Sequence, residues 1–115
     1  MMARGDVWVA DVELPDQSNP GSTTMRKKHV VELRRQAGRC AVVLASTDRR
    51  QGKPTRPFEV RFGEADGSDR DAVIDGRWVY TIPEERLIGA QHVRTFDEQM
   101  MERVAEAIAV GLDLL

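Results

Sequence analysis

The run Cys40-Ala41-Val42-Val43-Leu44-Ala45 constrains this chain most. It is a short apolar segment that reads as a buried strand. It stops abruptly at Ser46, Thr47, Asp48, Arg49 and Arg50. A sheet holds the side chains at a strand end more rigidly than a loop does. Hydroxyls and guanidiniums fixed together there suit hydrogen bonding to an anion, with phosphate the first candidate.

The rest of the chain supplies partners for that strand. Asp6–Val12 has high β propensity, with Trp8 as an anchor. Residues 13–24 contain Pro15, Asn19-Pro20 and Gly21-Ser22, a composition that predicts a long, mobile loop of the kind used as a functional lid. His29–Leu33 reads as a second strand, and Gln36-Ala37-Gly38 as the hairpin turn leading into the Cys40–Ser46 strand. A basic loop, Arg49–Thr55, follows. Phe58, Val60 and Phe62 then alternate toward the core, and 63–71 reads as an acidic turn. Ala72–Asp75 and Arg77–Ile82 are two more strands, broken at Gly76, and Arg86–Gly89 is a last one. Thr95 with Glu98 matches a capping box. Met101, Val104, Ala105, Ile108, Leu112 and Leu115 recur at helical spacing, predicting an amphipathic helix packed against the sheet. Several short strands and one terminal helix predict a mainly β (α+β) protein, a small, partly closed β-barrel capped by a helix.

The length of 115 residues predicts one domain, 1–115. No apolar run approaches the ~18 residues of a membrane span, and no signal-like apolar region follows Met1, so a cytoplasmic protein without a membrane partner is expected. Cys40 is the only cysteine, which excludes an internal disulfide. His29 and His92 stand alone without companion ligands, so neither a metal nor another cofactor is expected. Charge is segregated. Residues 1–63 carry 12 Lys/Arg against 7 Asp/Glu, and residues 64–115 carry 5 against 12. A positive face follows, suited to nucleic acid or an acidic protein segment.

The order of motifs resembles one family. Arg4-Gly5-Asp6-Val7-Trp8 opens the chain, and a basic cluster enters an apolar strand at Arg26-Lys27-Lys28-His29-Val30-Val31. A strand ending in Ser46-Thr47 follows, then Pro57-Phe58-Glu59-Val60, Val79-Tyr80-Thr81-Ile82, Arg86-Leu87 and a terminal helix. This pattern is similar to the MazF/PemK/Kid toxins of type II toxin–antitoxin systems. The resemblance implies an SH3-like or CcdB-like barrel with a C-terminal helix and a homodimer. It implies metal-independent cleavage of single-stranded mRNA at short motifs, and a cognate antitoxin whose acidic tail blocks the RNA groove. It places Arg26 as the catalytic arginine, with Lys27 or Lys28 able to occupy that position instead. It places Ser46 and Thr47 as the strand-end hydroxyls and Asp75 as a candidate base.

The chemistry is coherent. The ribose 2'-hydroxyl attacks the adjacent phosphorus and expels the 5' oxygen, leaving a 2',3'-cyclic phosphate. The protein must take a proton, stabilise the phosphorane and protonate the leaving oxygen. Arg26 is expected to clamp phosphoryl oxygens, because guanidinium is a poor proton donor. Ser46 and Thr47 would donate hydrogen bonds, and Asp75 or His29 would take the proton. Trp8, Lys27, Lys28, Arg49, Arg50, Lys53 and Arg56 are the expected RNA contacts. Two alternatives remain at this stage. One is a CcdB-like toxin that poisons gyrase without catalysis. The other is a degenerate MazF relative that binds RNA or antitoxin without cutting.

Overall fold

The structure, a computed structural model, describes residues 4–63 and 70–114. Among the described residues its core is a curled antiparallel sheet of seven strands, β1 (Asp6–Pro15), β2 (Thr23–Gln36), β3 (Arg39–Thr47), β4 (Glu59–Phe62), β5 (Ala72–Asp75), β6 (Tyr80–Pro83) and β7 (Gln91–Thr95), in the order β4-β5-β3-β2-β1-β7 with β6 also paired to β3. The sheet curls into a half-barrel, and one helix, α1 (Glu98–Gly111), packs on it. The mainly β expectation with a terminal helix holds. No helix among the described residues is long and apolar enough to cross a membrane.

β1 (Asp6–Pro15) and β2 (Thr23–Gln36) form one long hairpin, in register from Val7 opposite Val31 to Pro15 opposite Thr23. The expected lid over 13–24 is therefore only the connection 16–22. Asp16 organises it. Its carboxylate accepts from the backbone N–H and hydroxyl of Ser18, at 3.0 and 2.7 Å, and its own N–H donates to the Ser22 carbonyl at 3.0 Å. The strand outlasts its predicted end because Asp11, Val12, Glu13 and Leu14 keep alternating outward and inward. At the other end of β2, Ala37 and Gly38 both adopt positive φ, 53° and 76°, as a tight hairpin turn into β3 (Arg39–Thr47) requires.

β3 is the axis of the sheet. One edge pairs with β2, from His29 opposite Ala45 to Gln36 opposite Arg39. The other edge is shared. Ala45–Thr47 pair with β5 (Ala72–Asp75), and Arg39–Val42 pair with β6 (Tyr80–Pro83). β5 in turn pairs with β4 (Glu59–Phe62). Between β5 and β6 the chain bulges at 76–79, so the expected strand Arg77–Ile82 starts only at Tyr80. Gly76 causes this. It lies against the helix backbone, and a Cβ there would sit 2.4 Å from the Ala107 carbonyl oxygen. Gly111 matches it from the helix side, with a Cβ position 2.7 Å from the backbone of Gly76 and Arg77. Two glycines thus let strand and helix touch backbone to backbone.

Two expectations near the C-terminus are corrected. Glu84–Arg86 is a 3-10 turn, and Leu87–Ala90 continue as turns, so no strand covers 86–89. The last strand is β7 (Gln91–Thr95), paired to the free edge of β1. It is polar because it is an edge strand exposed to water. The helix N-cap is Asp97, whose side chain accepts from Met100 N–H at 2.8 Å, and not Thr95. Thr95 ends β7 and donates to Asp6 Oδ1, beside His92 Nε2 at 3.0 Å from the same oxygen. The buried helix face is Met100, Met101, Val104 and Ala107, while Ala105 and Leu112 are exposed. Leu115 and most of the expected acidic turn, 64–69, lie outside the described residues.

The sheet separates two cores. Val7, Val31, Val43, Phe62, Ile74 and Phe96 pack beneath the helix. Ala10, Val12, Val30, Cys40, Val42 and Ile82 fill the opposite face. Cys40 is fully buried there, and burial pushes its thiol up. One buried carboxylate interrupts this apolar pattern. Glu32, 0% exposed, accepts from Trp8 Nε1 at 3.0 Å and from Arg35 Nε and Nη2 at 2.8 and 3.0 Å. Arg35 also reaches Glu84 at 3.4 Å. The hydrogen bonds that Arg35 donates to Glu32, against the opposing effect of burial, hold its guanidinium firmly charged.

Candidate functional site

Where β3 runs out, a cleft of about 660 Å³ opens on the helix side of the sheet. Val7, Phe62, Ala72 and Phe96, all from the core beneath the helix, form its apolar floor. Its walls come from the mouth of β2 (Lys27, Lys28, His29), the end of β3 and its loop (Ala45 to Arg50), Glu59, Arg70, and β7 (Val93, Arg94). The structure thus brings Ser46, Thr47, Lys27, Lys28, Arg49 and Arg50 together.

Strand alternation assigns their directions. Thr47 pairs with Ala72 and follows Ala45 by two residues, so it shares the face of the helix-side core. Ser46 follows Leu44 by two and belongs to the other face, reaching the cleft at its rim. On β2, Lys27 and His29 share the face of Val31, the cleft side. Arg26 does not. It lies opposite Val12, a residue of the second core, and is absent from the cleft lining. The structure therefore turns Lys27, and not Arg26, to the side of the sheet that carries Thr47. Lys27 is exposed and paired only loosely with Asp11, at 3.8 Å. An exposed pair at that distance is worth little, which leaves the ammonium available to a phosphate.

The lining is electropositive. Lys27, Lys28, Arg49, Arg50, Arg70 and Arg94 face Asp48 and Glu59, six cations against two carboxylates. Both acids are engaged. Glu59 accepts from Arg50 Nη1 at 2.9 Å and from the Arg56 backbone N–H at 3.0 Å. Asp48, 8% exposed, accepts from the Arg50 backbone N–H at 2.9 Å, and its Oδ2 lies 3.0 Å from Arg61 Nε. Arg61 also donates to the carbonyls of Arg50, at 2.6 Å, and Lys53. One guanidinium therefore pins the basic loop after β3. Sequence reasoning missed Asp48, Arg61, Arg70 and Arg94. Asp48 sat in the right segment, but only burial reveals its role as an anchor.

The remaining candidates lie elsewhere. Lys53 and Arg56 are exposed and outside the lining, Arg56 stacking over Phe58 at 5.8 Å. Trp8 is on the opposite face, donating to Glu32 and edge-on to His92 at 4.9 Å. Asp75 is at the far end of β5 from Ala72, about 10 Å along the strand. It accepts from Arg77, at 3.0 Å from Nε and 2.7 Å from Nη2. Burial opposes its ionisation, but the Arg77 hydrogen bonds win and hold its pKa below 3.8. Its contribution to stability is then present above pH 3.8 and lost as pH falls through the lowered folded value. Asp75→Asn should flatten that acid limb in a pH series of thermal melts, with little change at neutral pH beyond the lost pairing.

Half-barrel, helix and basic hydroxyl-lipped cleft together define a small α+β protein with an electropositive cleft at the end of β3. The chain belongs to the family described as PemK-like, MazF-like toxin of type II toxin-antitoxin system, whose sequence pattern matches residues 3–112. Nothing in that match supports a CcdB-type toxin. Similar solved structures include an endoribonuclease in complex with its cognate antitoxin from a Mycobacterial species. It is 19% identical, covers 97% of this chain and 95% of that one, and has a TM-score of 0.68. An endoribonuclease from a Mycobacterial species is 18% identical over 96% and 89%, with a TM-score of 0.68. Mycobacterium tuberculosis toxin MazF-mt6 is 17% identical over 94% and 96%, with a TM-score of 0.65. At these identities the likeness is one of fold. No curated protein matches the chain.

Proposed function

We propose that this toxin is an endoribonuclease that cuts single-stranded mRNA by 2'-hydroxyl attack, without a metal in the reaction. One observation carries the reading: Thr47 and Lys27 face the same side of the sheet and line one cleft whose lining holds six cations. Thr47 donates a hydrogen bond to a non-bridging phosphoryl oxygen, and Lys27 offsets the growing phosphorane charge, while Lys28 adds positive charge at the rim. Arg49 and Arg50, on the loop pinned by Arg61, track the flanking backbone. With the aromatic content at 5% and Trp8 turned away, base recognition falls to the loops. The reading includes a homodimer, action in the cytoplasm, and a cognate antitoxin whose acidic tail competes with RNA for the same cations.

A defined RNA incubated with the protein and EDTA tests this. Cleavage to 2',3'-cyclic phosphate and 5'-hydroxyl ends is expected. Thr47→Ala should lower kcat about 10²-fold, the usual cost of one such donor. The position of Arg26 outside the cleft favours one rival, a relative that binds RNA without cutting. Tight binding with intact RNA over long incubation would establish that rival.

A further inference from the structure

The mouth of β2 brings two proton-carrying groups to the side of the cleft that holds Thr47. Lys27 and His29 are two residues apart, so both project to one face, about 7 Å apart along the strand. The pairing fixes that face. Lys27 lies opposite Asp11 and His29 opposite Val9, while the intervening Ala10 and the neighbouring Val12 point into the other core. Across the sheet His29 is opposite Ala45, and Thr47 is the next residue on that side of β3, a diagonal neighbour at roughly 7–8 Å. Both side chains are exposed and both line the cleft.

The residue types matter as much as the placement. A guanidinium does not give up its proton in a protein. An ammonium gives one up more readily, and an imidazole both takes and releases protons near neutral pH. Asp75, the carboxylate that the sequence offered as a base, is bound to Arg77 and outside the cleft.

We propose that Lys27 and His29 divide the proton transfers of RNA cleavage, an inference that rests on the endoribonuclease reading above. His29 takes the 2'-hydroxyl proton as the O2'–P bond forms. Lys27 gives a proton to the 5' oxygen as the P–O5' bond breaks. The resulting imidazolium and amine exchange one proton through solvent, which restores both groups. Thr47 holds a non-bridging oxygen between them.

Two substrates test the division: an RNA whose cleavage site has been mapped with the wild-type protein, and the same RNA with sulfur replacing the bridging 5' oxygen at that site. A thiolate leaves without needing a proton. His29→Gln should slow cleavage of both by about 10²–10⁴-fold, the usual contribution of a general base. Lys27→Gln should slow the oxygen substrate about 10²-fold more than it slows the sulfur substrate, because only the oxygen leaving group needs the proton while both lose the cation's charge. Fluorescence anisotropy should show RNA affinity little changed for His29→Gln and weakened for Lys27→Gln, which loses one phosphate contact. Wild-type rates in His29→Gln, or equal slowing of both substrates by Lys27→Gln, would overturn the assignment. A wild-type protein that cuts no RNA during that mapping would instead overturn the endoribonuclease reading itself.

Discussion

Arg35→Ala is expected to lower stability by about 3 kcal/mol, near the lower end of the range for breaking a buried ion pair. The cause is the partner left behind. Glu32 is 0% exposed, and among the described residues its carboxylate would keep the Trp8 indole N–H alone once Arg35 is removed. Arg35 itself is 31% exposed, so water can reach the vacated space and temper the loss. A domain of this size should melt about 12 °C lower. The double replacement Glu32→Leu with Arg35→Leu should recover most of that stability, because an apolar pair of similar volume needs no compensation in an otherwise apolar face. Thermal melts monitored by circular dichroism check both. Equal losses in the single and double variants would show that the carboxylate is not the origin of the effect.

Gly76→Ala should cost about as much, roughly 3 kcal/mol, at the upper end for overpacking. The added methyl would meet the Ala107 carbonyl at 2.4 Å and the Ile108 nitrogen at 2.7 Å. These are backbone atoms of the helix, which cannot swing aside as a side chain can. The helix would have to move away from β5 and β4, opening the core beneath Val104 and Ala107. Gly38 gives the contrast. Its φ is 76°, but nothing lies within 4 Å of its would-be Cβ. Gly38→Asn should therefore cost well under half as much, since asparagine tolerates that conformation. Urea midpoints for the two variants, compared at equal m-values, separate crowding from backbone strain.

Parts of this arrangement were readable from residues alone. The Cys40–Ser46 strand, the Ala72–Asp75 strand and the terminal helix carry strong apolar patterns and form where the pattern said, although the helix buries Met101 and Val104 while leaving Ala105 and Leu112 exposed. β7 was unreadable because an edge strand exposed to water, Gln91 to Thr95, needs no apolar side. The supposed lid was misread because Pro15, Asn19-Pro20 and Gly21 signal a turn but not how late the strand ends. That end depends on pairing with the exposed half of β2, whose residues Thr23 to Lys28 look like loop. The same pairing decides the site. Arg26, Lys27 and Lys28 are adjacent cations, and only the register against Val12 and Asp11 tells which one turns toward Thr47. Ser46 and Thr47 pose the same problem on β3. Alternation can be counted along a sequence, but which side faces the helix is a property of the assembled sheet.

The pairing of β1 with β7 joins Asp6 to Thr95, 89 positions apart, and the Gly5 carbonyl accepts from the Phe96 N–H. Translation delivers these segments in order, so the opening hairpin waits with one edge and one face bare until the closing strand and helix have emerged. Val93, Arg94 and Phe96 belong to the cleft itself. A nascent chain therefore lacks this cleft until residues 93–96 have been made and have reached β1.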